Sequence, residues 1–210
     1  MYSPTHFNET RIDVMHALLH DHPLGAVVLH GPDGLSADQI PFEIAPPCEG
    51  APFGVLRGHV ARANPLWRRD GAPTMVLFQG ASAYVSPAWY EDKTVSGKVV
   101  PTYNYATVQA HGTLRAIEEP AWLLALLERL TARHEGARAA PWSVHDAPRD
   151  YIDKLLGAIV GIEIPVERMV GKWKISQNRS RRDQEQIAAG LDGQDATAGM
   201  AALIAAKLRE

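Results

Sequence analysis

Tyr105-Ala106-Thr107-Val108-Gln109-Ala110-His111-Gly112-Thr113-Leu114-Arg115-Ala116-Ile117-Glu118 decides the fold reading, because it is long enough for a bent strand serving two parts of a barrel. Upstream, short strand-like runs cover Gly25 to His30, Gln39 to Ile44, Phe53 to Val60, Thr74 to Gln79 and Ala81 to Ser86. Gly31-Pro32-Asp33-Gly34 and Ala45-Pro46-Pro47 punctuate them, and Asn64 to Arg69 reads as a short turn of helix. Downstream, Gly161 to Pro165 and on to Ile175 reads as a last strand. These spacings predict antiparallel hairpins closing toward a mainly β barrel with peripheral helices.

The helices follow from apolar spacing. Ile12, Met15, Leu18 and Leu19 predict a short amphipathic helix with Asn8 as its N-cap and His22-Pro23 as its end. Pro120 opens a helix whose stripe is Trp122, Leu123, Leu126, Leu127 and Leu130, running to Glu135. Tyr151, Leu155, Leu156 and Ile159 predict another. Ser180 with Asp183 opens a helix to Ala189, and Thr197 to Leu208 forms an Ala-rich final one. The organisation read from this pattern is a barrel domain with embedded helices over 1–179 and a helical extension over 180–210.

With 210 residues, 46% of them hydrophobic, the chain can bury a real core. Its single cysteine, Cys48, excludes an intrachain disulfide framework and an all-cysteine zinc site, and suggests a reducing, cytoplasmic setting. No uncharged run approaches the ~18 residues of a membrane span, so no membrane association is expected. A net charge of -3 gives no global drive toward nucleic acid.

Three stretches carry the polar chemistry. The first offers His59, Arg62 and Asn64, with small Ala61 and Ala63 leaving the backbone approachable; its bland alternative is a strand end followed by a turn. The second offers Thr102, Asn104 and Tyr105 after Lys98 and Pro101, or simply an edge strand with a loop lysine. The third offers Trp173, Lys174, Ser176 and Gln177, or a solvated face of Lys172 and Lys174 over a buried Trp173. Cationic, hydroxyl and amide groups beside aromatics suit a planar phosphorylated ligand. No Gly-rich fingerprint or Walker loop is present, so side chains must hold any phosphate. Gly80-Ala81-Ser82-Ala83-Tyr84 departs from the nucleophile-elbow pattern, and His16 and His20 lack a third ligand nearby, so neither a serine hydrolase nor a metal site is expected. No catalytic residue is singled out.

Six runs in order resemble the PaiB family of FMN-binding proteins, often labelled negative transcriptional regulators. They are Met1 to Phe7, Gly58 to Trp67, Ala83 to Tyr90, Gly97 to Tyr105, Pro141 to Tyr151 and Gly171 to Arg179, so the resemblance extends to about Arg182. It implies an antiparallel FMN-binding split β-barrel related to pyridoxamine-phosphate oxidases and flavin reductases, FMN as cofactor, and a homodimer with the flavin at or near the subunit interface. It also implies cofactor-binding roles for His59, Arg62, Asn64, Thr102, Asn104, Tyr105, Trp173, Lys174, Ser176 and Gln177. Tyr103 stands where Trp is expected, and Gln39 and Gln109 where His is expected. The implied function is a flavin-dependent redox or regulatory protein; the alternatives are an oxidoreductase acting on a small molecule or a regulator acting through a partner. The tail helices lack base-reading side chains at the start of the second one, so sequence-specific DNA binding is not supported.

Overall fold

A computed structural model describes residues 1–32, 34–192 and 196–209. Asp33 of the expected turn and residues 193–195 of the expected tail connection lie outside the described residues. In chain order the strands and α-helices are β1 (Asn8–Glu9), α1 (Ile12–Asp21), β2 (Leu24–Gly31), β3 (Gly34–Pro41), β4 (Glu43–Ala45), β5 (Val55–Ala61), β6 (Pro73–Val85), α2 (Asp92–Val95), β7 (Thr102–Thr113), β8 (Arg115–Ile117), α3 (Pro120–Glu135), α4 (Arg149–Leu156), β9 (Ile159–Lys174), α5 (Arg181–Asp192) and α6 (Ala198–Lys207). The sheet follows the open path β3-β2-β6-β7-β9-β5-β4, with β1 and β8 also pairing with β9. It is an antiparallel split barrel, as the sequence implied.

Two compact units emerge, and their boundaries fall inside β6, β7 and β9. The first comprises Met1–Asp21, Gln79–Val108 and Val170–Glu210; the second comprises His22–Phe78 and Gln109–Met169. In the first unit α1 buries Met15, Leu18 and Leu19. Trp173 and Ile175 at the end of β9, Ile187 and Leu191 of α5, and Met200 and Ile204 of α6 are also buried there. In the second unit β2 buries alternate residues, Val27 and Leu29, as a strand with one covered face must. Leu123, Val144, Ile152 and Leu156 form a cluster that seats α3 and α4. Each such aliphatic side chain contributes about 1.5–3 kcal/mol on burial.

Several local expectations were revised by long-range pairing. Asn8 does not cap α1; it lies in β1, opposite Lys172 of β9. The two strands expected on either side of Gly80 are one, β6. At Gly80 a Cβ would come within 2.9 Å of Leu18 Cδ1, so the glycine lets helix α1 pack closely over the strand without Leu18 having to shift. The expected Gln39 to Ile44 strand divides into β3 and β4, and between them Phe42 donates its N–H to Pro23 O at 2.9 Å. Ile159 begins β9 rather than ending α4. At α5, Asp183 N–H donates to Ser180 Oγ at 3.1 Å, while the Asp183 carboxylate accepts from Glu91 N–H rather than reaching back to Ser180.

Candidate flavin site

In the second unit, β5 delivers His59 and Arg62 and then turns. Asn64 caps the short 3-10 helix Pro65–Arg69, its Oδ1 accepting from Leu66 N–H at 2.9 Å. Its Nδ2 donates to Asp38 Oδ1 at 2.9 Å, which holds the carboxamide at the edge of β3. The bland reading of Asn64 as a turn initiator therefore describes part of what it does. Arg62 is committed elsewhere: its guanidinium donates to Glu118 Oε2 at 2.6 Å, Gly157 O at 2.8 Å and Ile159 O at 3.3 Å. His59 is half-buried, and its Nδ1 has no partner among the described residues.

Asn64 also lines a cavity of about 550 Å³, within the range of small-molecule pockets. Leu29, Leu35, Leu66 and Pro65 give it apolar walls, while Asn64, Arg68 and Arg69 bring donors. Arg69 Nη2 donates to His30 O at 3.0 Å. Arg68 stacks over the Trp67 ring, 5.5 Å from its centroid, and no carboxylate pairs with it among the described residues. Sequence reasoning missed both arginines, although they directly follow Gly58 to Trp67.

In the first unit the second and third stretches meet. Lys174 Nζ donates to Thr102 Oγ1 and to Tyr103 O, the latter at 2.7 Å. Asn104 is fully buried and donates from Nδ2 to Ser176 Oγ at 2.8 Å, while its Oδ1 has no partner among the described residues. Ser176 has φ 66°, an unusual conformation for a residue with a Cβ, in a turn closed by Arg179 N–H donating to Ser176 O at 2.9 Å. Burial pushes the Lys174 ammonium below its usual pKa; Tyr105 acts to raise it, and Lys172 and Arg179 to lower it further.

Lys172 corrects the picture of a solvated lysine face. It is buried, donates to Tyr2 O at 3.0 Å, and lies 5.2 Å from the Tyr105 ring centroid. Trp173 is buried too, and Gln177 is spent on the backbone: its Oε1 accepts from Ile175 N–H at 2.8 Å and its Nε2 donates to Trp173 O. Tyr90, outside the expected set, packs its ring 4.8 Å from the Arg179 guanidinium. Burial raises its pKa, against the lowering effect of Arg179.

Two histidines of the second unit give a pH prediction. Burial lowers the pKa of His59, and burial with the nearby Arg168 charge lowers that of His111, below the usual 6.5. Below that value the unfolded chain takes up protons that the folded chain refuses, so stability is full above it and is lost as pH falls toward the depressed folded values. Thermal midpoints are expected to drop between pH 7.5 and pH 5.5, and His59→Gln with His111→Gln should flatten that part of the curve. A double variant with the parent's slope would contradict this assignment.

The comparisons agree with this architecture. Residues 1–168 match the family model described as "Putative FMN-binding domain". An uncharacterized protein of Emericella nidulans is 32% identical over 95% of this chain and 93% of its own length. The protease synthase and sporulation protein PAI 2 of Bacillus subtilis is 29% identical over 93% of this chain and 91% of its own. Among solved structures, the FAD and heme binding protein of Mycobacterium smegmatis superposes with a TM-score of 0.61 at 21% identity, over 87% of this chain and 80% of that one. With four fifths of its length under the family model and its fold that of a split barrel, this chain belongs to the PaiB-type FMN-binding domain family, whose cofactor is FMN.

Proposed function

We propose that this protein is a flavin-dependent redox protein that holds FMN with its phosphate against Arg68 and Asn64. The observation that carries this reading is the 550 Å³ cavity, which pairs apolar walls with the Arg68 guanidinium, while its one lining carboxylate among the described residues, Asp38, accepts from Asn64. The fit to FMN is chemical as well as volumetric: the phosphate asks for charge-assisted donors, and the ring for apolar cover. Bound FMN supplies the electron-transfer chemistry. The chain's own residues bind, orient and shield. Arg68 provides charge, Asn64 a neutral donor held in place by Asp38, and Leu29, Leu35 and Leu66 exclude water.

Within the first unit, Thr102, Asn104, Tyr105, Lys174 and Ser176 are proposed as cofactor-binding residues on their own account, with Lys174 the cation of that cluster. Arg62 and His59 are proposed to support β5 rather than touch phosphate. Titration of FMN and riboflavin, followed by quenching of flavin fluorescence, tests the phosphate reading. FMN should bind more tightly by about tenfold or more; equal affinities would contradict it.

The same proposal includes a cytoplasmic homodimer. Exposed Tyr84 and Tyr103, 52% and 56% accessible, meet edge to face at 6.5 Å and supply an apolar face for a second copy. Light scattering should report twice the chain mass. Sequence-specific DNA reading is not part of the proposal, because α6 buries Met200, Ala201 and Ile204 and opens without base-reading donors. Among the described residues no helix is long and apolar enough to cross a membrane.

A further inference from the structure

The first unit holds a buried cation that none of the roles above employs. Lys172, only 8% exposed, lies beneath the N-terminal segment: its Nζ donates to Tyr2 O at 3.0 Å and sits 5.9 Å from the Tyr2 ring centroid and 5.2 Å from that of Tyr105. Among the described residues no carboxylate pairs with it, so a neutral carbonyl and two ring faces stand in for a counter-ion. A desolvated ammonium is costly without an anion, and cation–π contacts offset only part of that cost.

Its surroundings are cationic too. Lys172 and Lys174 alternate on β9 and so share one face of the strand. Burial and the charges of Lys172 and Arg179 lower the Lys174 pKa, against the raising effect of Tyr105. Arg179 stacks on the Tyr90 ring and has no carboxylate partner among the described residues.

The cover over Lys172 is lightly held. Tyr2 is 85% exposed, so the segment buries little there, and Ser3 Oγ is buried without a partner among the described residues. The firm anchor comes later in the chain: Phe7 is buried, and Asn8 and Glu9 pair with Lys172 and Gly171. Residues 1–3 can therefore lift while β1 stays in the sheet. We infer that residues 1–3 form a displaceable cover over an anion site centred on Lys172, with Lys174 beside it, and that the phosphate group of a small ester displaces Tyr2 to reach it. A phosphate oxygen then replaces the Tyr2 carbonyl as the acceptor for Lys172, exchanging a neutral partner for a charged one. This inference rests on the reading of Tyr105 and Lys174 as part of a ligand site, and adds the buried cation, the charge of the ligand and the segment that must move.

The test uses the full chain loaded with FMN and carrying 3-fluorotyrosine at its 6 tyrosines, the Tyr2 fluorine resonance being identified by its loss in Tyr2→Ala. Inorganic phosphate, titrated at an ionic strength held constant with chloride, is expected to move that resonance toward the free amino-acid position, saturably and with a dissociation constant on the order of 1 mM. Lys172→Met keeps an apolar stem and should lose the response. Tyr2→Ala removes one ring from the cover at an exposed position, so calorimetry should find phosphate bound about threefold more tightly. That tightening tests the inference even where Lys172→Met folds poorly. The inference is overturned by the absence of saturable binding, by binding that leaves Tyr2 unmoved, by an unchanged response in folded Lys172→Met, or by unchanged or weaker binding in Tyr2→Ala. Flavin fluorescence in the same titration separates this inference from the flavin reading. FMN released as Tyr2 moves assigns the flavin phosphate to Lys172 and contradicts Arg68, whereas protein that takes up no FMN yet shows the Tyr2 response fails only the flavin reading.

Discussion

Arg68→Ala is expected to weaken FMN binding by roughly 10- to 150-fold, the loss of a charge-assisted contact of about 1.5–3 kcal/mol. Riboflavin affinity should barely change, because it has no phosphate for Arg68 to bind. Arg68 is exposed and stacked on Trp67, so its loss should leave folding nearly intact. Arg62→Ala supplies the contrast. That guanidinium satisfies two backbone carbonyls and Glu118, so its removal should cost about 1–2 kcal/mol of stability and little flavin affinity. If Arg62→Ala abolishes FMN binding in a stably folded protein while Arg68→Ala has no effect, the phosphate belongs to Arg62.

Gly112→Ala should be the most damaging small substitution in the second unit. A Cβ there would sit 2.0 Å from Pro165 O and 3.0 Å from Ile164 Cγ2. The nearer atom is a backbone carbonyl of β9 and cannot swing aside as a side chain could, so the strand itself must move. A loss of about 3 kcal/mol or more is expected, lowering the thermal midpoint by roughly 6–12 °C in a chain of this size. Gly157→Ala is the control: its nearest contact would be 3.4 Å and its φ is -66°, so it should be neutral or slightly stabilising. A Gly112→Ala protein as stable as the Gly157→Ala protein would contradict the close approach.

What the sequence made legible was governed by near neighbours. Pro120 starts α3 and Asn64 starts its 3-10 helix because both effects act within a few residues. The strands of the barrel announced themselves through apolar runs and turn residues. What stayed hidden depended on partners far along the chain. Asn8 looks like a cap until Lys172 pairs with it, and Gly80 looks like a break until Leu18 packs over it. Lys172 reads as solvated until Tyr2 and Tyr105 surround its ammonium. Residue type drew attention to Asn64 in the second unit and to Lys174 in the first. It could not show that Arg62 is bound to Glu118, 56 positions away, while Arg68 stays available to a ligand.

The central claim is that this chain is an FMN protein, and the most direct measurement is the identity of the small molecule carried through purification. Protein isolated without added flavin, denatured and analysed by absorbance and mass spectrometry, should release FMN in an amount approaching that of the chain. The stripped protein should take FMN up again and quench its fluorescence. Protein that carries no flavin and leaves micromolar FMN fluorescence unchanged would contradict the account.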